Sequence, residues 1–169
     1  MAKKREQQDR IPPIRITDAH LIYRNFAGDA KKYNAKGLRN FHVIIPTDSA
    51  EAIAKDGWNV RWHDPKNEDD ERWASLKVAV RFDMYPPTII LRSGENGRTQ
   101  LNGNTVGILD WAELMNAKVI ITPSRWENQG KTGIKAYLSR MVVEVNEEDL
   151  EFEGITPTFE DEDLQEDAD

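Results

Sequence analysis

Residues 73–82, WASLKVAVRF, alternate strictly between two faces, and this pattern constrains the fold more than any other feature of the chain. A period of two residues is typical of a half-buried β-strand. Other short stretches rich in β-branched and aromatic residues are separated by glycine, proline or polar turns, as strands are. They lie at 13–25, 39–45, 58–63, 88–92, 99–101, 117–122 and 134–145.

Six to eight strands in 169 residues predict a single, mostly β domain, built as a sandwich or a small barrel. Two short helices are expected. One runs from Asp48, which can form a capping box with Glu51, to Lys55, and the other covers 111–116 after Asp110. Residues 123–133 contain two glycines and a proline, and we expect them to be a flexible connection.

The chain contains no cysteine, which excludes disulfides, thiolate catalysis and zinc ribbons. No apolar run approaches the ~20 residues that span a bilayer. The first ten residues, MAKKREQQDR, lack the apolar segment of a secretory signal. We therefore expect a cytoplasmic protein without a membrane partner.

The net charge of −7 averages two regions of opposite sign. Residues 144–169 contain thirteen acidic residues and no basic one. The rest of the chain holds all 23 basic residues and the remaining 17 of the 30 acidic ones, a net charge of +6. We expect a flexible basic arm at 1–12, a folded domain at 13–146 and a disordered acidic tail at 147–169.

The motifs that indicate catalysis or a cofactor are incomplete. Gly130-Lys131-Thr132 ends like a phosphate-binding loop, but position 125 is arginine and a strand pattern follows. The three histidines lack metal-ligand spacing, and no serine has the context of a nucleophile. We therefore expect neither an enzyme nor a cofactor nor a metal site. The acidic loop 64–71 leaves open a magnesium-dependent nuclease as an alternative.

Aromatic rings lie next to cations at many points of the chain. This combination suits single-stranded nucleic acid, because cations track the phosphates and rings stack on bases. The predicted phosphate contacts are Arg24, Lys31, Lys32, Arg39, Arg61, Lys77, Arg81, Arg125, Lys131 and Lys135. The predicted stacking residues are Phe26, Tyr33, Trp62, Trp73, Trp126 and Tyr137, together with Phe41.

Several of these segments resemble the phage-encoded single-stranded DNA-binding proteins. The similarity is carried by Tyr23-Arg24-Asn25-Phe26, by Tyr33-Asn34-x-x-Gly37-x-Arg39-Asn40-Phe41, by Asp56-Gly57-Trp58-Asn59-Val60, and by the run from Trp126 to Leu138. The resemblance implies an oligonucleotide/oligosaccharide-binding (OB) barrel with one or two short helices. It also implies a role in phage DNA replication, recombination or repair, without catalysis or cofactor.

The opposite charges of body and tail predict that the acidic tail competes for the DNA groove or recruits replication or recombination proteins, and a tail that only keeps the protein soluble is the alternative. In some phage proteins of this class the tail ends in an aromatic residue, whereas this tail ends in Asp169 and contains Phe159 internally. A structural or interaction protein of the virion, built on a β-sandwich, is the alternative from a different class. Monomer and homodimer both stay open.

Overall fold

The computed structural model of the protein describes residues 11–32 and 34–159. Ten strands, two α-helices and one 3₁₀-helix follow one another in this part of the chain. In chain order they are β1 (Ile14–Ile16), β2 (Leu21–Asn25), β3 (Arg39–Ile45), α1 (Thr47–Lys55), β4 (Val60–His63), β5 (Trp73–Val80), β6 (Thr88–Ser93), β7 (Gly97–Leu101), the 3₁₀-helix (Val106–Asp110), β8 (Met115–Asn128), β9 (Lys131–Glu144), α2 (Glu147–Glu153) and β10 (Thr158–Phe159).

Five strand segments follow one another around a barrel. β2 pairs with β3, β3 with β5, β5 in parallel with β9, and β9 with β8. β1 and β2 are the two halves of one bent segment, and β1 pairs with β8. Residues 17–20 interrupt that segment, so the hydrogen-bonded ladder itself does not close. A partly open five-stranded barrel is the OB architecture, and the predicted fold class is confirmed.

A three-stranded extension continues the sheet beyond the barrel. β6 pairs in parallel with the second half of β9, β7 forms a hairpin with β6, and β10 pairs with β7. The extension therefore lies at the far end of β9 from the segment that pairs with β5.

The core follows the alternation that the sequence predicts. Ala74, Leu76, Val78 and Val80 of β5 are all at most 2 % exposed. They pack with inward-facing residues of β3 and β9, which are Phe41, Val43, Ile45, Ile134, Ala136 and Leu138. Burial of one strand face against another is the main source of stability in such a barrel.

The predicted flexible connection at 123–133 is wrong. β8 and β9 pair over their whole length, and the turn between them is only Gln129 and Gly130, both with positive φ. The glycines that suggested flexibility serve the tight turn and the close packing of a side chain instead.

Two details of the helices also differ from the predictions. The helix expected at 111–116 does not form, and a 3₁₀-helix, Val106–Asp110, comes before these residues. Asp110 accepts hydrogen bonds from the backbone N–H groups of Phe26 and Ala27 instead of capping a helix. α1 forms as expected but begins after Pro46, without a side-chain cap. No helix among the described residues is long and apolar enough to cross a membrane.

The predicted acidic tail, 147–169, begins with ordered structure. Residues 147–153 form α2, because Leu150 is buried in the core, and residues 158–159 form β10. The tail therefore needs a later boundary. Residues 160–169, like the arm at 1–10, lie outside the described residues.

Candidate nucleic-acid interface

The outer faces of β3, β4, β5 and β9 form one continuous surface, which we call the open face. Register places Lys77 opposite His42, Ser75 opposite Arg61, and Ala79 opposite Tyr137. These residues alternate with the core residues of the same strands. The side chains of Arg61, Lys77 and Lys135 are exposed, so strand pairing brings cations from three strands onto one surface.

A groove of about 490 Å³ crosses the open face. Arg39 and Asn40 lie along one side, Lys77 and Ala79 in the middle, and the β8–β9 hairpin along the other side. The hairpin contributes Trp126 and Lys135. The groove thus joins an exposed indole with cations that are far apart in sequence, which is the chemistry that single-stranded nucleic acid needs.

Trp126 lies across the hairpin because its cross-strand partner is a glycine. Trp126 pairs with Gly133, and a Cβ on Gly133 would be 2.6 Å from Cζ2 of the indole. Only a residue without a side chain permits this close approach. The indole is 44 % exposed, so one ring face packs on the hairpin and part of the ring stays available to a ligand.

Two further hollows continue the groove. One of about 420 Å³ shares Arg39, Ala79 and Lys135 with it and reaches Arg81. The next, of about 660 Å³, runs from Arg81 past Tyr137 to Tyr85. The three hollows together form a path along the parallel pair of β5 and β9.

Tyr85 is a candidate that sequence reasoning missed. It is 92 % exposed and has a φ of 51°, in the loop between β5 and β6. Positive φ is unusual for a residue other than glycine and marks a backbone held by its surroundings. The sequence signal for it is an aromatic residue just before two prolines, Pro86 and Pro87.

Arg81 carries its own counter-ion. Its guanidinium forms two hydrogen bonds with the Asp83 carboxylate, at 3.1 and 2.8 Å. The hydrogen bond with Asp83 raises the pKa of Arg81 and lowers the pKa of Asp83. Because the pair is exposed, a phosphate has to compete with Asp83 for this cation.

A cluster of rings occupies the other end of the open face. His63 stacks on Trp73 with ring centroids 3.9 Å apart, and Tyr23 packs edge-on against His42 at 5.1 Å. The Ser75 hydroxyl links the two histidines, with Oγ 3.0 Å from Nδ1 of His42 and 2.7 Å from Nε2 of His63. This explains why Ser75 is fully buried although alternation predicts an exposed position.

His42 lies at the bottom of this cluster and is neutral at neutral pH. Burial, and after it the electrostatic effects of Arg61, Lys77 and His63, together lower the pKa of His42 from 6.5 to about 4. His42 therefore adds no positive charge to the aromatic surface that the ring cluster presents beside the cations of the open face.

Four predicted ligand residues have structural roles instead. Phe26 and Phe41 are fully buried and stack on each other with centroids 5.0 Å apart, so neither ring is open to a base. Arg24 donates to the backbone carbonyls of Leu109 and Ala112. Trp62 faces inward with Ala74, and the Arg72 guanidinium covers its ring at 4.3 Å.

The remaining predicted residues lie at the borders of the open face or outside the described residues. Arg39 lines the groove but also donates to the Phe26 carbonyl at 2.7 Å. Arg125 and Lys131 are exposed on the β8–β9 hairpin, and Lys31 and Lys32 are exposed in the loop between β2 and β3. Tyr33 lies outside the described residues.

No group of three or more potential metal ligands is close enough to hold an ion in the described part of the chain. This includes loop 64–71, which carries the acids of the nuclease alternative.

Comparison with known proteins finds a family and two solved structures to which this chain is similar. A family model described as "Putative phage ssDNA-binding domain" matches residues 5–168. No curated protein matches the sequence. Two structures of a single-stranded DNA-binding protein from bacteriophage Enc34 have the same fold with 13 % sequence identity and a TM-score of 0.50. The first is a C-terminal truncation, and the match covers 79 % of this chain and 85 % of that one. The second is a complex with ssDNA, and the match covers 89 % of this chain and 88 % of that one.

Proposed function

Because this chain belongs to the family of phage single-stranded DNA-binding domains, we propose that it binds single-stranded DNA along the open face with little sequence preference. Lysine and arginine side chains contact phosphates, and exposed rings stack on bases. Stacking is tolerant of sequence because every base has a π-face. The family is one of binding proteins.

The groove is the observation that carries this proposal. Trp126 and Lys135 on the β8–β9 hairpin and Lys77 on β5 line one hollow of about 490 Å³. The Lys135 ammonium also lies 5.4 Å from the Tyr137 ring centroid, so a cation and a ring adjoin along the next hollow. If each of these residues only packed in the core, there would be no reason for them to share one exposed surface.

We place the strand on a path from the Trp73–His63 ring pair, past Lys77, through the groove and on to Tyr137 and Tyr85. The phage Enc34 protein, whose structure is a complex with ssDNA, has the same fold and supports this use of the barrel. Arg61, Arg125 and Lys131 border the path and supply further phosphate contacts. Lys31 and Lys32 in the loop between β2 and β3 are proposed to contact further phosphates, and Tyr33 is proposed to stack on a base.

We further propose that the protein acts in the cytoplasm of the infected cell, in phage DNA replication, recombination or repair. The acidic residues at the end of the chain then compete with DNA for the open face or attract partner proteins. Both roles rest on the charge separation in the sequence.

The experiment is a titration with fluorescent dT and rU oligomers at two salt concentrations. We expect affinity to fall by roughly 0.7 log units per log unit of salt for each neutralised phosphate. Substituting both Lys77→Gln and Lys135→Gln is expected to lower that slope by roughly 1.4. Lys118→Gln, an exposed lysine of β8 outside the groove, is the matched control.

The same titration decides against the proposal in two ways. Failure to bind dT oligomers at low salt would favour a structural or interaction protein. Binding with equal slopes in the lysine variants and the Lys118→Gln control would remove the groove from the DNA site.

A further inference from the structure

Two aromatic rings are exposed together at a place that the open face does not use. Phe152 of α2 is 83 % exposed and Trp111 is 43 % exposed, and they touch edge-to-face with centroids 5.4 Å apart. Scattered exposed apolar residues are common on proteins, but two large rings in contact form a small apolar surface. We call these two rings, with the acidic residues of α2, the α2 patch.

α2 holds Phe152 outward on a fixed support. Leu150 is 1 % exposed and anchors the helix in the core. Gly154 ends the helix in the left-handed conformation, with φ of 72°, and the Ile155 N–H donates to the Leu150 carbonyl at 2.9 Å. Phe152 follows Leu150 by two residues, roughly 200° around the helix, so it points away from the core.

The charge of α2 exceeds what helix stability explains. Glu147, Glu148 and Asp149 lie in the first turn, where carboxylates favour the helix dipole. Glu151 and Glu153 lie near the carboxyl end, where negative charge opposes it. Glu153 accepts a hydrogen bond from Nε1 of Trp111 at 2.5 Å, which fixes the indole beside Phe152. Glu151 neither favours the helix dipole nor fixes the indole, and it adds negative charge beside the rings.

We propose that the α2 patch docks a segment of another protein in which lysine or arginine side chains flank an apolar side chain. The rings receive the apolar residue and the carboxylates receive the cations. The residues that line the groove belong to other elements, so the patch stays available while DNA is bound. Nucleic acid is the wrong ligand here, because five carboxylates repel phosphates.

A second copy of this chain is a poorer occupant than a different protein. Its exposed cations Arg61, Lys77 and Lys135 lie on the open face, which the proposed function assigns to DNA. The apolar area is also small, since an aromatic side chain buries ~150–250 Å² at most, which suits a weak and transient contact.

The test uses the full-length protein labelled with ¹⁵N and a synthetic amphipathic peptide of lysines and leucines, without DNA. We expect the peptide to shift the Trp111 indole resonance and the α2 amides. A matched peptide with serine in place of leucine should bind roughly tenfold more weakly. Phe152→Ser and Glu151→Lys should each weaken the lysine–leucine peptide by about the same factor.

The matched control is Glu68→Lys, which changes an exposed carboxylate in the acidic loop 64–71 and should leave peptide affinity within about twofold. Phe152→Ser should keep wild-type affinity for a dT oligomer and, because the side chain is exposed, a wild-type melting temperature. That result supports a docking site separate from DNA binding.

The proposal is overturned if the peptide does not bind, if it binds the wild type and Phe152→Ser equally, or if its shifts map to the groove. Loss of DNA affinity in Phe152→Ser would make the patch part of the DNA site. Loss of a wild-type dimer in that variant, measured by sedimentation, would make a second copy the occupant. Either result rejects a different protein as the ligand.

Discussion

Trp126 and Trp111 are almost equally exposed, at 44 % and 43 %, but they lie on different surfaces. Trp126 borders the groove, whereas Trp111 rests beside α2. Exposure alone therefore does not assign a ring to DNA. The cations around a ring assign it to DNA, because stacking contributes to binding only where the phosphates are also held.

Trp126→Ala is expected to weaken binding of a dT oligomer by about 1–3 kcal/mol, roughly 5- to 150-fold, because one base loses its stacking partner. Fluorescence anisotropy of a labelled oligomer measures the change. Trp111→Ala removes an equally exposed indole and should stay within about twofold of the wild type. Equal losses in both variants would contradict the assignment of Trp126 to the site.

His42 makes the stability of the protein depend on pH. Its pKa is about 4 in the folded chain, below the ordinary value of 6.5, so protonation favours the unfolded chain. The stabilisation is complete above pH 6.5 and is lost as pH falls from 6.5 towards 4.

We expect the free energy of unfolding to fall by about 1–2 kcal/mol over this range because of His42, after allowance for solvent screening. Urea unfolding at several pH values measures it. His42→Asn, whose amide can still bond Ser75, should lose this part of the slope, while His20→Asn at an exposed position should keep it. An unchanged slope in His42→Asn would rule out His42 as the origin.

At the scale of elements, the β8–β9 hairpin forms one wall of the groove. Its two strands, Met115–Asn128 and Lys131–Glu144, pair from end to end with irregularities between Met115 and Lys118 and between Ile120 and Ile121, and Trp126 lies near the turn. Gly133 decides where the indole lies, because a Cβ there would overlap the ring.

Gly133→Ala is expected to displace the Trp126 ring and to weaken DNA binding by no more than Trp126→Ala does. In the double variant, Gly133→Ala should add little to the loss already caused by Trp126→Ala. Gly107→Ala is the control, because its Cβ would meet only the Ala27 Cβ at an ordinary 3.6 Å. Fully additive losses in the double variant would show that Gly133 acts in another way.

At the scale of the whole molecule, charge is divided between the open face and the end of the chain. The open face carries exposed lysines and arginines, whereas α2 carries acidic residues and 160–169 contains seven more. Deleting 147–169 would also remove Leu150 from the core. A shorter deletion therefore tests the tail without unfolding the end of the domain.

Deleting residues 160–169 is expected to tighten binding of a dT oligomer by roughly three- to tenfold at ~50 mM salt, and less at high salt, since screening weakens competition by the tail. Changing the seven acids to Asn or Gln at full length should have the same effect. Unchanged affinity in both variants would reject competition by the tail and leave recruitment of partners as its role.

Sequence reasoning found most strands because alternation is a local property of the chain. The strand at 39–45 has the predicted bounds, and the inward set of β5 is the predicted one. Sequence reasoning failed at 123–133, where the glycines indicated a loop. Gly133 leaves room for the Trp126 indole in a hairpin, and no pattern of neighbouring residues reveals that role. Sequence reasoning also failed at 147–153 because one buried residue, Leu150, holds an otherwise acidic helix.

The sequence by itself determined the mostly β fold, the opposite charges of body and tail, and the segments that resemble the family. Each depends on neighbouring residues or on composition. Only the tertiary structure decided which rings and cations meet. It buried Phe26 and Phe41, turned Trp62 inward, engaged Arg24 with backbone carbonyls, and brought Lys77, Trp126 and Lys135 to one groove. Exposure and proximity depend on pairing between strands far apart in the chain, and no local pattern records that pairing.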